Sequence, residues 1–153
     1  MDQYVEFRSV AMPPLSREER EQFLTEPHIG ALAVEAGADR GPLVIPVWYD
    51  YEPGGELWIV TEADSRKARL ISEAGRFSLM AERLEPSVRY VSVEGPVSEI
   101  RPATEAEDTA MAERYLGEEG AAEYLKTRGP QFGELVTVRM RPKRWNSSDL
   151  GSI

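Results

Sequence analysis

Cysteine is absent from this chain of 153 residues, and histidine occurs once, as His28. The missing thiols remove disulfides, thiolate metal sites, iron–sulfur ligation and cysteine nucleophiles from consideration. A single imidazole removes multi-histidine metal sites and weakens a Ser-His-Asp reading, so no metal site is expected. No apolar run approaches the roughly 20 residues that span a bilayer. Met1 to Ser9 carries Asp2 and Glu6 where a signal peptide would be basic and then apolar. These features predict a cytoplasmic protein without a membrane partner. Positive charge is also scarce: 18 Lys and Arg stand against 27 Asp and Glu, a net charge of −9. Nucleic-acid binding rests on neutralising many phosphates with Lys and Arg, so no nucleic-acid partner is expected. An anionic ligand would have to be held by a local basic patch.

Hydrophobic residues make up 41% of the chain, which fits one core, and residues 1–153 read as a single domain. An amphipathic helix is expected over about 16–25, with Ser16 and Glu19 at capping-box spacing and Pro27 as its stop. Strands follow at Ile29 to Glu35, Leu43 to Tyr51, Leu57 to Thr61, Phe77 to Ala81, Tyr90 to Ile100 and Leu135 to Met140. A helix from about Ser65 to Ala74 closes on Gly75. A longer acidic helix, about 104–128, starts with Thr104 and Glu107 at capping-box spacing and is expected to break at Gly117 and Gly120. Six strands with mostly short connections do not suit a doubly wound fold. They predict a mainly β protein: a six-stranded antiparallel barrel over about 29–142, with flanking helices. In the run 43–51, Leu43, Ile45, Val47, Tyr49 and Tyr51 share one face and Val44, Pro46, Trp48 and Asp50 the other. Both faces are largely apolar, so one is expected at a subunit interface.

The segment Thr61-Glu62-Ala63-Asp64-Ser65-Arg66-Lys67-Ala68-Arg69 joins a strand to a helix N-terminus and puts three cations in its first turn. Cations are disfavoured at the positive end of a helix dipole, where Asp and Glu usually sit. A bound phosphate would supply the missing anion and would accept from the free first-turn N–H groups. Helical phase places Lys67 near the centre of the stripe formed by Leu70, Ile71 and Ala74, with Arg66 and Arg69 away from it. Spacing alone leaves a second reading open, in which Lys67 lays its stem over the core and the arginines are surface charges. His28, at the mouth of the first strand, reads as structural. The carboxylates Glu105, Glu107, Asp108, Glu118 and Glu119 read as a solvated helix face rather than a metal or glycosidase site. The basic tail Arg139, Arg141, Lys143 and Arg144 either holds an anionic extension of a ligand or balances the acidic helix.

At four places the chain resembles the flavin- and deazaflavin-dependent split-barrel oxidoreductases, the superfamily of pyridoxamine 5'-phosphate oxidase. They are Pro27-His28-Ile29-Gly30-Ala31-Leu32-Ala33, the strand Pro42 to Tyr51, the Thr61-to-Arg69 segment, and Tyr90-Val91-Ser92-Val93-Glu94-Gly95. The resemblance implies a split barrel and a homodimer with two cofactors at the interface. Carried onto this sequence, it implies that Pro46, Val47 and Trp48 line the cofactor ring and that Val60 and Thr61 lie beneath it. Ser65, Arg66, Lys67 and Arg69 would take the phosphate. Residues around Tyr90 and Trp145 would come from the second subunit. Pro46-Val47-Trp48-Tyr49-Asp50-Tyr51 followed by Arg66-Lys67-Ala68-Arg69-Leu70 is closer to the actinobacterial coenzyme F-420 branch than to true pyridoxamine-phosphate oxidases. Leu70 departs from the pattern, since many relatives carry Asn there. The implied activity is hydride transfer from reduced deazaflavin to a small-molecule acceptor. The cofactor carries that chemistry, so no catalytic residue is named. FMN in the same fold, as an oxidase or reductase, is the alternative, and a non-catalytic flavin or tetrapyrrole binder is a third.

Overall fold

The computed structural model describes residues 12–129 and 133–151, so the Met1 to Ser9 segment lies outside the described residues. Helix α1 (Arg17–Thr25) starts with the expected capping box. Ser16 Oγ accepts the Glu19 N–H at 3.1 Å, and Glu19 Oε1 accepts the Ser16 N–H at 2.9 Å. Pro27 disfavours helical backbone at the preceding residue, and Glu26 is extended.

The strands are β1 (Gly30–Val34), β2 (Leu43–Val47), β3 (Asp50–Tyr51), β4 (Leu57–Glu62), β5 (Arg76–Arg83), β6 (Val88–Pro102), β7 (Leu135–Met140) and β8 (Arg144–Gly151). They pair in the order β2-β1-β5-β6-β7-β4-β3, with β8 on β6, and every pairing is antiparallel. Because β2 runs into β3 through only Trp48 and Tyr49, the two ends of that order are joined and the sheet curls into a split barrel. Alternation drives the closure. The inward residues Leu32, Leu57, Ile59, Leu79, Val91, Val93, Val138 and Met140 are all buried, as expected for strands with one face on a core.

Strand β6 is shared by both halves of the barrel: Arg89 to Glu94 pairs with β8, and Val97 to Pro102 pairs with β7. The crossover lies at Gly95. A Cβ built there would sit 1.8 Å from the Arg141 carbonyl oxygen, so only glycine lets the chain leaving β7 cross β6 so closely.

The structure departs from expectation in three places. The run 43–51 is two strands bent at Trp48 and Tyr49. Strand β8 is not expected from the sequence, where the last strand ends at Met140 and a basic tail runs to Arg144, because Arg-Trp-Asn-Ser-Ser-Asp-Leu-Gly lacks apolar alternation. Its buried residues are Ser147 and Ser148, made tolerable by hydrogen bonds from the Leu15 N–H to Ser147 and from Ser148 to the Pro13 carbonyl. In the long helix, Gly117 breaks the helical backbone (φ 75°, ψ 171°) whereas Gly120 continues it. Helix α2 spans Arg66–Ala74 and closes on Gly75 in the left-handed region, and α3 spans Glu105–Arg128. Among the described residues no helix is long and apolar enough to cross a membrane.

Candidate functional site

The β4–α2 junction is held by its own hydroxyls. Ser65 N–H donates to the Glu62 carbonyl at 3.1 Å, and Ser65 Oγ donates to the same carbonyl at 2.7 Å while accepting from the Ala68 N–H at 3.1 Å. Thr61 Oγ1 lies 3.4 Å from Ser65 Oγ. Ser65 therefore already serves as N-cap, and Thr61 is the hydroxyl left to face a ligand. The first N–H groups of a helix have no partner within it, so those of Arg66 and Lys67 remain available.

The first turn of α2 contains no acidic residue. Lys67 is half-buried there, and among the described residues no carboxylate lies within ion-pair distance of its ammonium. Burial pushes its pKa down, with Glu62 pulling weakly the other way. Arg66 is exposed, and Arg69 Nη1 donates to the Asp64 carbonyl at 2.8 Å on the opposite side of the helix start.

At the β2–β3 bend the sheet ladder stops and helix α3 supplies the missing partners. Tyr49 N–H donates to Tyr115 Oη at 3.1 Å, and Tyr115 donates to the His28 carbonyl at 2.7 Å. The Arg114 guanidinium donates to the carbonyls of Tyr49, Thr25 and Glu26 and pairs with Asp50 at 3.3 Å. This clamp holds Trp48 face to face with Tyr115, ring centroids 5.0 Å apart and 9° between planes. Tyr124 leans on Trp48 at 5.4 Å. Burial pushes the Tyr115 phenol up, and that of Tyr49 further.

Helix α3 is two arms folded at Gly117. Asp108 and Arg128, 20 positions apart, would be about 30 Å apart on a straight helix, yet Arg128 Nη1 donates to Asp108 Oδ1 at 3.0 Å. Its Nη2 donates to Asp108 Oδ2. The base of the first arm is fixed by Glu107, which accepts from Arg101 at 2.8 and 2.6 Å, from the Thr104 N–H at 3.0 Å and from Thr137 at 3.0 Å. The Arg101 guanidinium holds the Glu107 carboxyl far below the usual carboxylate range. Of the acidic residues read as a solvated face, Glu107 and Asp108 therefore turn inward, while Glu105, Glu118 and Glu119 are exposed. Only the fold supplies their arginine partners.

Between α3 and the outer face of β4 lies a cavity of about 320 Å³. The expected residues Trp48, Val60, Thr61, Ser65 and Lys67 all line it. Pro46 is exposed, Val47 is buried in the barrel core, and Arg66 and Arg69 do not line the cavity. Asp108, Met111, Ala112, Tyr124 and Arg128 of α3 complete it, with Glu62 and Leu135. The local sequence carries no signal for that far wall, because its proximity depends on where α3 folds back. His28 is outside the cavity, stacked on Phe23 at 4.2 Å with Nε2 3.2 Å from Glu26.

The model of the pyridoxamine 5'-phosphate oxidase family matches residues 16–149. The chain belongs to that family. Solved structures of similar fold include the conserved hypothetical protein Rv2991 from Mycobacterium tuberculosis, at 29% identity over 92% of this chain and 88% of that one, with a TM-score of 0.69. An F-420 reductase is 22% identical over 82% of this chain and 94% of its own, with a TM-score of 0.65. An FAD and heme binding protein from Mycobacterium smegmatis is 17% identical over 90% and 73%, with a TM-score of 0.64. No curated protein matches the chain. The family is named for an oxidase, which supports an enzyme at the coarse level.

Proposed function

We propose that this chain is an oxidoreductase that binds coenzyme F-420 with its phosphate on Lys67 and its ring in the cavity under α3. The observation that carries the reading is the half-buried Lys67, which faces a cavity with an aromatic and methionine wall and which, among the described residues, has no carboxylate within ion-pair distance. The donor set fits a phosphate: one ammonium, two first-turn N–H groups and the Thr61 hydroxyl. Trp48, Met111, Ala112 and Tyr124 fit the edge and face of a planar ring. An anion at Lys67 would also offset, by charge attraction, the burial that lowers its pKa. A bound reduced deazaflavin would supply hydride-donor chemistry toward an electron-poor small-molecule acceptor, with solvent as the proton source. Lys67 and Thr61 would hold the phosphate, and Val60 and Trp48 would border the ring.

About 320 Å³ is at the small end of ligand pockets, so the rest of the site is proposed to come from a second copy in a homodimer. The exposed Ile29 (56%) and Val44 (62%), together with Pro46, offer an apolar surface for it. FMN is the second reading, supported to the extent that two solved structures of this fold, 18% and 17% identical, are named as binding FAD, another flavin.

Titration of the purified protein with coenzyme F-420 and with FMN tests both readings. F-420 is expected to bind more tightly, and Lys67→Ala to weaken it about tenfold or more, as loss of a charge-assisted phosphate contact does. Binding of FMN alone would replace the first reading by the second. Unchanged affinity for both ligands in Lys67→Ala would remove the phosphate site.

A further inference from the structure

The two arms of α3 are held in different ways. The first, residues 105–116, is tied to the barrel by Glu107 at its base and by Arg114 and Tyr115 at its tip, and it buries Met111 and Ala112. The second, residues 118–128, buries only Ala121. It rests on Trp48 through Tyr124, and its end is fastened to the first arm by Arg128 on Asp108. Glycine with positive φ stands at each end of this arm: Gly117 (φ 75°) and Gly129 (φ 67°). A Cβ at Gly117 would meet nothing within 4 Å, so glycine is required there by the backbone bend alone.

We propose that residues 118–128 are a hinged cover over the cavity, turning at Gly117 and latched by the Arg128–Asp108 ion pair. Tyr124 and Arg128 both line the cavity, so lifting this arm removes one wall and opens the path to Lys67 and Thr61. The first arm stays in place because its anchors are to the barrel. Few buried apolar groups and a polar latch are the features of segments that open locally, below the free energy of global unfolding. Both latch side chains are largely shielded, at 16% and 19% exposure, so each regains water when the arm lifts, which lowers the cost of opening. This inference uses the cavity of the proposed cofactor site, but the opening itself is a property of the ligand-free chain.

Hydrogen exchange on the ligand-free protein tests the cover. Amides of 118–128 are expected to exchange faster than those of 105–116. Arg128→Gln is expected to speed the second arm by about threefold to fivefold, the effect of one partly shielded ion pair, and to leave the first arm and β5 unchanged. Equal exchange in both arms of the wild type, or acceleration spread over both in Arg128→Gln, would overturn it. A lock gives the second readout. The chain has no cysteine, so Asp108→Cys with Arg128→Cys can be joined selectively by a short bis-maleimide. Stopped-flow association of FMN or coenzyme F-420 should slow more than tenfold after joining, and an unaltered association rate would sink the cover. If neither cofactor binds at all, the cofactor reading falls while the exchange data still decide the cover.

Discussion

Helices α2 and α3 both begin with a hydroxyl cap, yet their first turns carry opposite charge. Thr104 opens α3, followed by Glu105, Glu107 and Asp108. Ser65 opens α2, followed by Arg66, Lys67 and Arg69 with no acid. Helix α1 follows the acidic rule, with Glu18 and Glu19. The acidic turn of α3 satisfies its own N-terminus and has charge left over for Arg101 and Arg128. The basic turn of α2 leaves its end unsatisfied, which is costly unless an anion from outside the chain completes it. One helix start is a structural joint and the other is the proposed receptor.

That contrast can be broken most severely at the joint. Glu107→Gln should destabilise the protein by about 2 kcal/mol, since it removes the charge from several hydrogen bonds to one carboxylate. It should also flatten the acid limb of stability. The folded pKa of Glu107 lies below its usual 4.5, so its contribution is complete above that value and is lost as pH falls through the folded one. Thermal melts between pH 7 and pH 3 check both effects. A wild-type acid limb as shallow as that of Glu107→Gln would mean that the carboxylate does not anchor α3.

The caps sharpen the comparison at a smaller scale. Ser65→Ala and Thr104→Ala should each cost about 1 kcal/mol by loss of a side-chain acceptor. Adding inorganic phosphate should raise the melting temperature of the wild type and lose that effect in Lys67→Ala. Stabilisation of Lys67→Ala by phosphate to the wild-type extent would show that α2 is no receptor.

The smallest effect is on Lys67 itself. Its lowered pKa means that the unfolded chain binds the proton more tightly, so the charged lysine costs stability at neutral pH and stability rises as pH climbs toward 10.5. Lys67→Met should therefore stabilise the ligand-free protein by about 0.5 kcal/mol in denaturant titrations. A loss of stability instead would mean that Lys67 has a structural partner.

Much of this was legible along the chain because it is local. The Ser16–Glu19 and Thr104–Glu107 boxes, the Gly75 stop and the strand at Leu57 to Thr61 follow from short spacings and turn signals in the chain. The bend at Trp48 was not legible, since the run 43–51 alternates without a break and the partner that replaces its ladder, Tyr115, lies 66 positions away. Strand β8 was hidden because pairing with β6, rather than an apolar pattern, makes it a strand.

The sequence by itself determined the caps, the barrel's alternation and the presence of three cations at one helix start. Tertiary structure decided that only Lys67 of those three faces the cavity and that α3 closes over it. Local hydrogen bonds and periodicity are set by neighbours in the chain. The far wall of a cavity is set by residues that meet only after Gly117 turns the helix back on itself.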